Sequence, residues 1–208
     1  MTYEEELLDK LKDAGKWPAF KNLGHLSILN DMADRAFSKN SLEGHIAAVA
    51  IYHQLSADMV GLLLDDIHFL TQCSLYPLEL RFKKKKTPMF GTLLDELEHN
   101  VDFKQKKDFL FQCRRLNEIR ITMVHKLTQQ VFLGSVNHQA KAAKDVFDQI
   151  FILFDEAHDF FRVCLHDIQK DFLSADIITE TTYIEPTKGS RSRKPKQDNQ
   201  ANAAKPRH

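Results

Sequence analysis

The stretch that decides the fold is SLEGHIAAVAIYHQLSADMVGLLLDDIHFLTQC, residues 41–73. Its apolar residues recur at helical spacing and cover most of the circumference of the predicted helix, which is typical of a central helix. One apolar stripe and the residues that widen it are Leu42, Ile46, Val49, Val60, Leu63, Leu64 and Ile67, then Ile51, Leu55, Leu62 and Phe69. Ser41 is placed as the N-cap, with Gly44 at the N3 position. The sequence therefore predicts a long central helix from Leu42 to about Cys73.

The rest of the chain shows the same helical rhythm, and strand-like alternation is almost absent. Only seven glycines and six prolines interrupt the 208 residues. Further helices are predicted at about 2–15, 24–38, 92–99, 103–131 and 138–173, with Thr92 and Asp95 as a capping pair for the short one. We therefore expect an all-α, up-and-down helical bundle over residues 41–173, preceded by the N-terminal helices of residues 1–40.

The net charge of zero is the sum of two unlike parts. Residues 187–208 carry seven Lys or Arg and one acid, whereas the remaining residues carry 22 bases and 28 acids. This asymmetry predicts an acidic folded domain and, over residues 174–208, a short extended segment followed by a disordered basic tail. The start of the chain is acidic and amphipathic, and no run of about 18 uncharged apolar residues occurs, so we expect a cytoplasmic protein.

The cysteines and phenylalanines indicate packing rather than chemistry. Cys73, Cys113 and Cys164 are odd in number, far apart and set in apolar helical patterns, so neither a disulfide nor a zinc site is expected. Aromatic residues recur at helical spacing in the last helix and are expected in the core, with no cofactor to stack on. They are Phe147, Phe151, Phe154 and Phe161.

The helix predicted over residues 103–131 carries one misplaced charge. At about 100° per residue, Arg120 falls near the middle of an apolar stripe made of Phe109, Cys113, Leu116, Val124, Leu127 and Val131. An unpaired charge is costly to remove from water, so Arg120 needs a carboxylate, a ligand or a wet interface. A structural interpretation pairs it with an acid, the candidates being Asp58, Asp65 or Asp66 of the central helix, or Glu118 of the partner subunit.

The stretch LNEIRITMVHKL, residues 116–127, resembles the signature helix of the HEPN superfamily (higher eukaryotes and prokaryotes nucleotide-binding domains). The typical motif is Arg, a polar residue, three to five more residues, then His. The matching positions are Leu116, Glu118, Ile119, Arg120, Val124 and His125. Residues 41–64 resemble the long early helix of those domains, and FGTLLDELE, residues 90–98, resembles the short helix before the motif. The likeness covers about residues 41–165.

The resemblance implies a chemistry, because many HEPN proteins are metal-independent ribonucleases that act as dimers. His125 would serve as general base on an RNA 2′-hydroxyl or as general acid toward the leaving oxygen. Arg120 would bind the scissile phosphate, with Asn117 and Glu118 in support. Arg120 and His125 are about 140° apart on the helix, which favours a site shared by the two chains of a homodimer. A toxin or phage-defence system with a cognate antitoxin is the implied setting.

One departure from the motif keeps a second hypothesis open. Ile121 occupies the position after Arg120, where active HEPN members usually have a polar residue, although Asn117, one turn earlier, could substitute in part. The alternative is a non-catalytic helical dimerisation module, or one that binds nucleic acid or a partner. The run Lys83, Lys84, Lys85 and Lys86 and the basic tail could attract an RNA backbone, or could simply be solvated.

Two further groups of histidines could either bind a metal or lie at the edge of the core. DEAHD, residues 155–159, together with His166 and Asp167, offers carboxylates and imidazoles at helical spacing. However, His158 continues the apolar rhythm of the last helix, which favours a histidine at the edge of the core. His45 and His53 are interpreted in the same way, and His53 is expected to be buried and to meet the motif helix.

Overall fold

The computed structural model describes residues 2–82, 88–125 and 133–179. These residues form a bundle of six α-helices and one 3-10 turn, and they contain no β-strand, which confirms the predicted all-α class. The elements are α1 (Tyr3–Lys12), the 3-10 turn (Ala14–Lys16), α2 (Leu23–Ser38), α3 (Leu42–Ser74), α4 (Phe90–His99), α5 (Lys106–His125) and α6 (Leu133–Thr179).

Helix α3 is the centre of the bundle, as its sequence predicts. It packs against α2, α4, α5 and α6. Its length and composition would suffice to cross a membrane, but half of its most apolar window is buried inside the bundle. Contact with four other helices therefore accounts for about half of this apolar surface.

The predicted start of α3 is confirmed. The hydroxyl oxygen of Ser41 accepts a hydrogen bond from the backbone N–H of Gly44 at 3.1 Å. A Cβ atom at Gly44 would lie 2.3 Å from the carbonyl oxygen of Ala36 at the end of α2. Glycine is therefore required at this position because it lets the two helices approach each other.

The other helix boundaries differ from the predictions in informative ways. Helix α4 begins at Phe90 after Met89, which makes no side-chain cap, so the predicted capping pair of Thr92 and Asp95 is wrong. The helix begins at Phe90 instead, and the ring of this residue is buried in the core. Helix α6 continues to Thr179, so residues 174–179 are helical rather than extended. The predicted tail of residues 187–208 lies outside the described residues.

The predicted packing of cysteines and phenylalanines largely holds. Cys73 and Cys113 are buried, Cys164 is partly buried, and burial raises the pKa of Cys73 to about 12. Of the four phenylalanines of α6 that were predicted to lie in the core, three do so. Phe151 is the exception, with 51% of its surface exposed.

Candidate functional site

The connection from α4 fixes where α5 begins. Lys106, the first residue of α5, is buried, and its ammonium group donates to the carbonyl oxygen of Glu98 at 2.7 Å and to Asp102 at 3.1 Å. Arg114 donates to both carboxylate oxygens of Glu98, at 2.6 and 3.3 Å. These contacts tie the end of α4 to α5, so the angular position of every later residue on α5 is set.

The inward face of α5 agrees with the predicted stripe along most of its described length. Phe109, Cys113 and Leu116 are fully buried. Val124 is not part of the buried face, because 46% of its surface is exposed and Met123 takes the core position. Met123 lies two helical turns after Leu116 on the same face, whereas Val124 is turned toward solvent near the end of α5. The predicted stripe members Leu127 and Val131 lie outside the described residues.

Arg120 is partly buried on this face and lies beside two polar side chains. Asn117, one turn earlier on α5, accepts a hydrogen bond from the Nε2 of His53 on α3, at 3.1 Å. The His53 ring also meets Phe90 of α4 edge-on, with 4.8 Å between ring centroids. His53, Asn117 and Arg120 therefore form one polar cluster, here called the α5 cluster, where three helices meet. The expected contact of His53 with the motif helix is confirmed, whereas its side chain is only partly buried rather than buried.

The α5 cluster holds His53 in a defined protonation state. Burial lowers the pKa of His53, and the nearby charge of Arg120 lowers it further, against the opposing effect of the Asn117 hydrogen bond. At neutral pH the imidazole is therefore uncharged. Because Nε2 donates to Asn117, Nδ1 carries the free lone pair and can accept a proton or a hydrogen bond.

None of the three candidate acids in its own chain, Asp58, Asp65 and Asp66, forms an ion pair with Arg120 among the described residues. Asp66 pairs with Arg162 of α6, and Asp58 accepts a hydrogen bond from Gln54. Within the described ranges, no carboxylate lies within 4 Å of the Arg120 guanidinium. The charge of Arg120 is thus not neutralised by an internal ion pair with any described residue, unlike that of Arg162.

The other predicted site residues lie around the end of α5. His125 is its last residue, and the position of its side chain is outside the described structure. Glu118 is exposed, and so is Ile121, with 39% of its surface accessible. The exposed apolar surface of Ile121 and Val124 thus adjoins the α5 cluster. Lys83, Lys84, Lys85 and Lys86 lie outside the described residues.

A second charged group, here called the Asp66 cluster, lies between α3 and α6. Asp66 is completely buried, and the Nη2 of Arg162 lies 3.1 Å from its Oδ1. The contact is close enough for an ion pair, but its geometry satisfies no hydrogen bond to either Asp66 oxygen. Burial raises the pKa of Asp66 to about 7, although the charge of Arg162 opposes this shift.

His158 completes the Asp66 cluster as a neutral imidazole. Its Nε2 accepts a hydrogen bond from the Nε of Arg162 at 3.1 Å and lies 3.6 Å from Asp66. Burial and the charge of Arg162 both lower the pKa of His158, so the acceptor role of Nε2 prevails over an ion pair with Asp66. The ring stacks on Phe154 at 5.4 Å, as expected of a histidine at the core edge.

The alternative metal site around residues 155–167 is not assembled. The His166 ring packs against Trp17 at 4.6 Å, and Asp167 pairs with Lys170 at 3.4 Å. No group of three or more His, Cys, Asp or Glu side chains in the described part of the chain is placed to hold a metal ion. His45 is buried, lies 3.3 Å from the Asn40 side chain and contacts the Phe37 ring.

Sequence reasoning missed Met123 on the buried face of α5 and Arg162 in the Asp66 cluster. Met123 replaces Val124 on the buried face, a difference of one position that periodicity does not resolve. Arg162 pairs with Asp66, which was one of several candidate partners of Arg120. A helical spacing of four residues from His158 to Arg162 was the available indication of their contact.

The chain was compared with protein-family models, curated proteins and solved structures, and none of them matches it.

Proposed function

We propose that the protein is a metal-independent endoribonuclease of the HEPN type that works as a homodimer. The observation that carries the proposal is the state of Arg120, a partly buried cation on the motif helix with no carboxylate partner among the described residues. A guanidinium in that state suits a phosphate, because it offers several donors in a fixed plane. A toxin or phage-defence system, with an antitoxin as partner, is the proposed setting.

In the proposed reaction, the RNA 2′-hydroxyl loses a proton and the departing 5′-oxygen gains one. The RNA 2′-oxygen attacks the adjacent phosphorus as its proton passes to an imidazole, and the bond from phosphorus to the 5′-oxygen breaks as that oxygen takes up a proton. The products are a 2′,3′-cyclic phosphate and a 5′-hydroxyl end. His125 performs one of these proton transfers, and Arg120 stabilises the charge that develops on the phosphoryl oxygens.

The α5 cluster supports this assignment because it holds a polar side chain, Asn117, close to Arg120. The hydrogen bond from His53 fixes the side chain of Asn117, which lies one turn before Arg120. The position directly after Arg120, which is usually polar in the motif, is occupied by Ile121. Asn117 therefore orients Arg120 or the substrate in the role that Ile121 cannot fill. Glu118 is exposed on the same helix and is free to contact the partner or the RNA.

A shared site also explains the apolar surface at the end of α5. Ile121 and Val124 are both exposed in the single chain. A two-fold pairing of α5 with its copy would cover them and would bring Arg120 of one chain toward His125 of the other.

The same apolar residues favour a second candidate function, a non-catalytic dimerisation module that binds nucleic acid or a partner. Ile121 is exposed where an active member of the superfamily would carry a polar residue. In that case the protein dimerises through α5 and binds RNA without cleaving it.

Cleavage of diverse RNAs by the purified protein separates the two candidates. We expect Arg120→Ala and His125→Ala each to slow cleavage by about 10²-fold or more, in the absence of added metal. Arg115→Ala is the matched control, because Arg115 is an exposed arginine on the same helix, outside the cluster. Wild-type protein that binds RNA but leaves it intact would establish the non-catalytic function instead.

Complementation tests whether the site is built from two chains. Differently tagged Arg120→Ala and His125→Ala chains are co-expressed, and the mixed dimer is purified through both tags. If each site takes Arg120 from one chain and His125 from the other, the mixed dimer has one intact site and recovers about half of the wild-type rate. A mixed dimer as inactive as its parents would show that each chain supplies its own pair.

A further inference from the structure

A cavity of about 500 Å³ opens between α2, α3 and α6, away from the α5 cluster. Its walls are mostly apolar, and they include Phe20, Leu55, Met59, Leu62, Phe147 and Phe154. The volume lies within the range of small-molecule sites in proteins. An apolar ligand in a cavity of this size would be removed from water and would make dispersion contacts with the walls. Its binding would therefore stabilise the folded protein.

Two polar side chains of the Asp66 cluster also line the cavity, His158 and Arg162. Arg162 is held in place because Nη2 contacts Asp66 and the carbonyl oxygen of Pro18, while Nε donates to His158. In the described part of the chain, Nη1 of Arg162 has no hydrogen-bond partner, and neither has Nδ1 of His158.

The tautomer of His158 decides what the cavity can bind. Arg162 is always a donor, so Nε2 of the neutral imidazole must be the acceptor and Nδ1 must carry the hydrogen. The unused groups at this end are therefore donors, Nδ1–H of His158 and Nη1–H of Arg162. Donors with a guanidinium charge suit an acidic group and disfavour a cation. Asp155 also lines the cavity, but it is exposed, so water and salt screen its charge.

We propose that this cavity binds a single-chain fatty carboxylate, with the chain along the apolar wall and the carboxylate on Nδ1–H of His158 and Nη1–H of Arg162. The site shares no residue with the α5 cluster, so it is independent of the proposed RNA chemistry. The buried Asp66 acts as a positioning residue, because it holds the guanidinium at the cavity without contacting the ligand.

Equilibrium dialysis of the full chain against radiolabelled decanoate and decanol, below the concentration at which decanoate forms micelles, tests the proposal. We expect saturable binding of one decanoate per chain and binding of decanol that is weaker by about tenfold or more, because the alcohol cannot form charge-assisted bonds with Arg162. Absence of saturable decanoate binding, or equal affinity for the alcohol, would overturn it.

Three variants locate the ligand. His158→Phe keeps a ring to stack on Phe154 but removes the donor, so decanoate should bind about tenfold more weakly and decanol as before. Ser27→Phe fills the exposed rim on α2 and should weaken both ligands, whereas His25→Phe, exposed on the same helix but outside the lining, should weaken neither. Circular dichroism checks that each variant is folded. Wild-type affinity for decanoate in Ser27→Phe would place the ligand elsewhere and contradict the proposal.

Discussion

Two arginines, each on a helix that packs against α3, differ in what neutralises their charge. Arg162 on α6 contacts the buried carboxylate of Asp66, the His158 ring and a backbone carbonyl. Arg120 on α5 lies beside the uncharged polar groups of His53 and Asn117, without a carboxylate among the described residues. Arg162 is held inside the fold through Nη2 and Nε, which leaves only Nη1 for the cavity, whereas the guanidinium of Arg120 has no carboxylate partner among the described residues and is available to an anion from outside. Arg162 is therefore expected to be needed for stability and Arg120 for function.

The largest effect on stability should come from Arg162→Met. At pH 8, above the pKa of Asp66, the substitution leaves its buried carboxylate without a countercharge and removes the hydrogen bonds of Arg162 to His158 and to the Pro18 carbonyl, so we expect the free energy of unfolding to fall by about 3–5 kcal/mol in urea titrations. Lys144→Met is the matched control on α6, because Lys144 pairs with the exposed Asp34 and should lose only about 1 kcal/mol or less. A double variant, Asp66→Leu with Arg162→Met, should recover most of the loss. If Arg162→Met is as stable as Lys144→Met, the contact between Arg162 and Asp66 does not stabilise the fold.

The next effect is a dependence of stability on pH. The folded protein retains a proton on Asp66 up to about pH 7, whereas the unfolded chain releases it near its ordinary pKa of 3.8. The contribution of Asp66 therefore lowers the free energy of unfolding as the pH rises from about 4 to about 7. Urea titrations at several pH values should show a steeper decline for wild type than for Asp66→Asn. Equal slopes would mean that Asp66 titrates normally in the fold.

The smallest effect is a change in the pKa of His53. NMR titration of its ring protons should give a value below the ordinary 6.5 in wild type. Arg120→Ala should raise the pKa of His53, because one of the groups that lower it is removed, and Arg115→Ala should leave it unchanged. An unchanged pKa of His53 in Arg120→Ala would show that the charge of Arg120 does not act on His53, so Arg120 would not belong to the α5 cluster.

The sequence predicted the α3 helix well because its signals are local. Ser41 caps the helix through a residue three positions away, and the apolar periodicity over residues 42–73 identifies the central element without any knowledge of its neighbours. The start of α4 was misplaced because Met89 caps nothing with its side chain, while Thr92 and Asp95 imitate a capping pair. Burial of Phe90 decides that boundary, and burial is not visible in the local sequence.

The candidate site was predictable only in part. Periodicity identified Arg120 as a charge on an apolar face and placed His53 near the motif helix. It could not say which arginine would take Asp66, because that pairing joins helices far apart in the chain and depends on their relative rotation. For the same reason the cavity between α2, α3 and α6 left no trace in the sequence, and Phe151, predicted to lie in the core, lines it while remaining half exposed.

The most direct test of the contrast between the two arginines measures RNA cleavage and unfolding on the same preparations of wild type, Arg120→Ala and Arg162→Met. We predict that Arg120→Ala loses cleavage by about 10²-fold or more while its free energy of unfolding stays within about 0.5 kcal/mol of wild type. Arg162→Met should lose stability instead and, at temperatures where it is folded, retain cleavage. An Arg120→Ala variant that cleaves RNA like wild type, or that loses as much stability as Arg162→Met, would contradict the account.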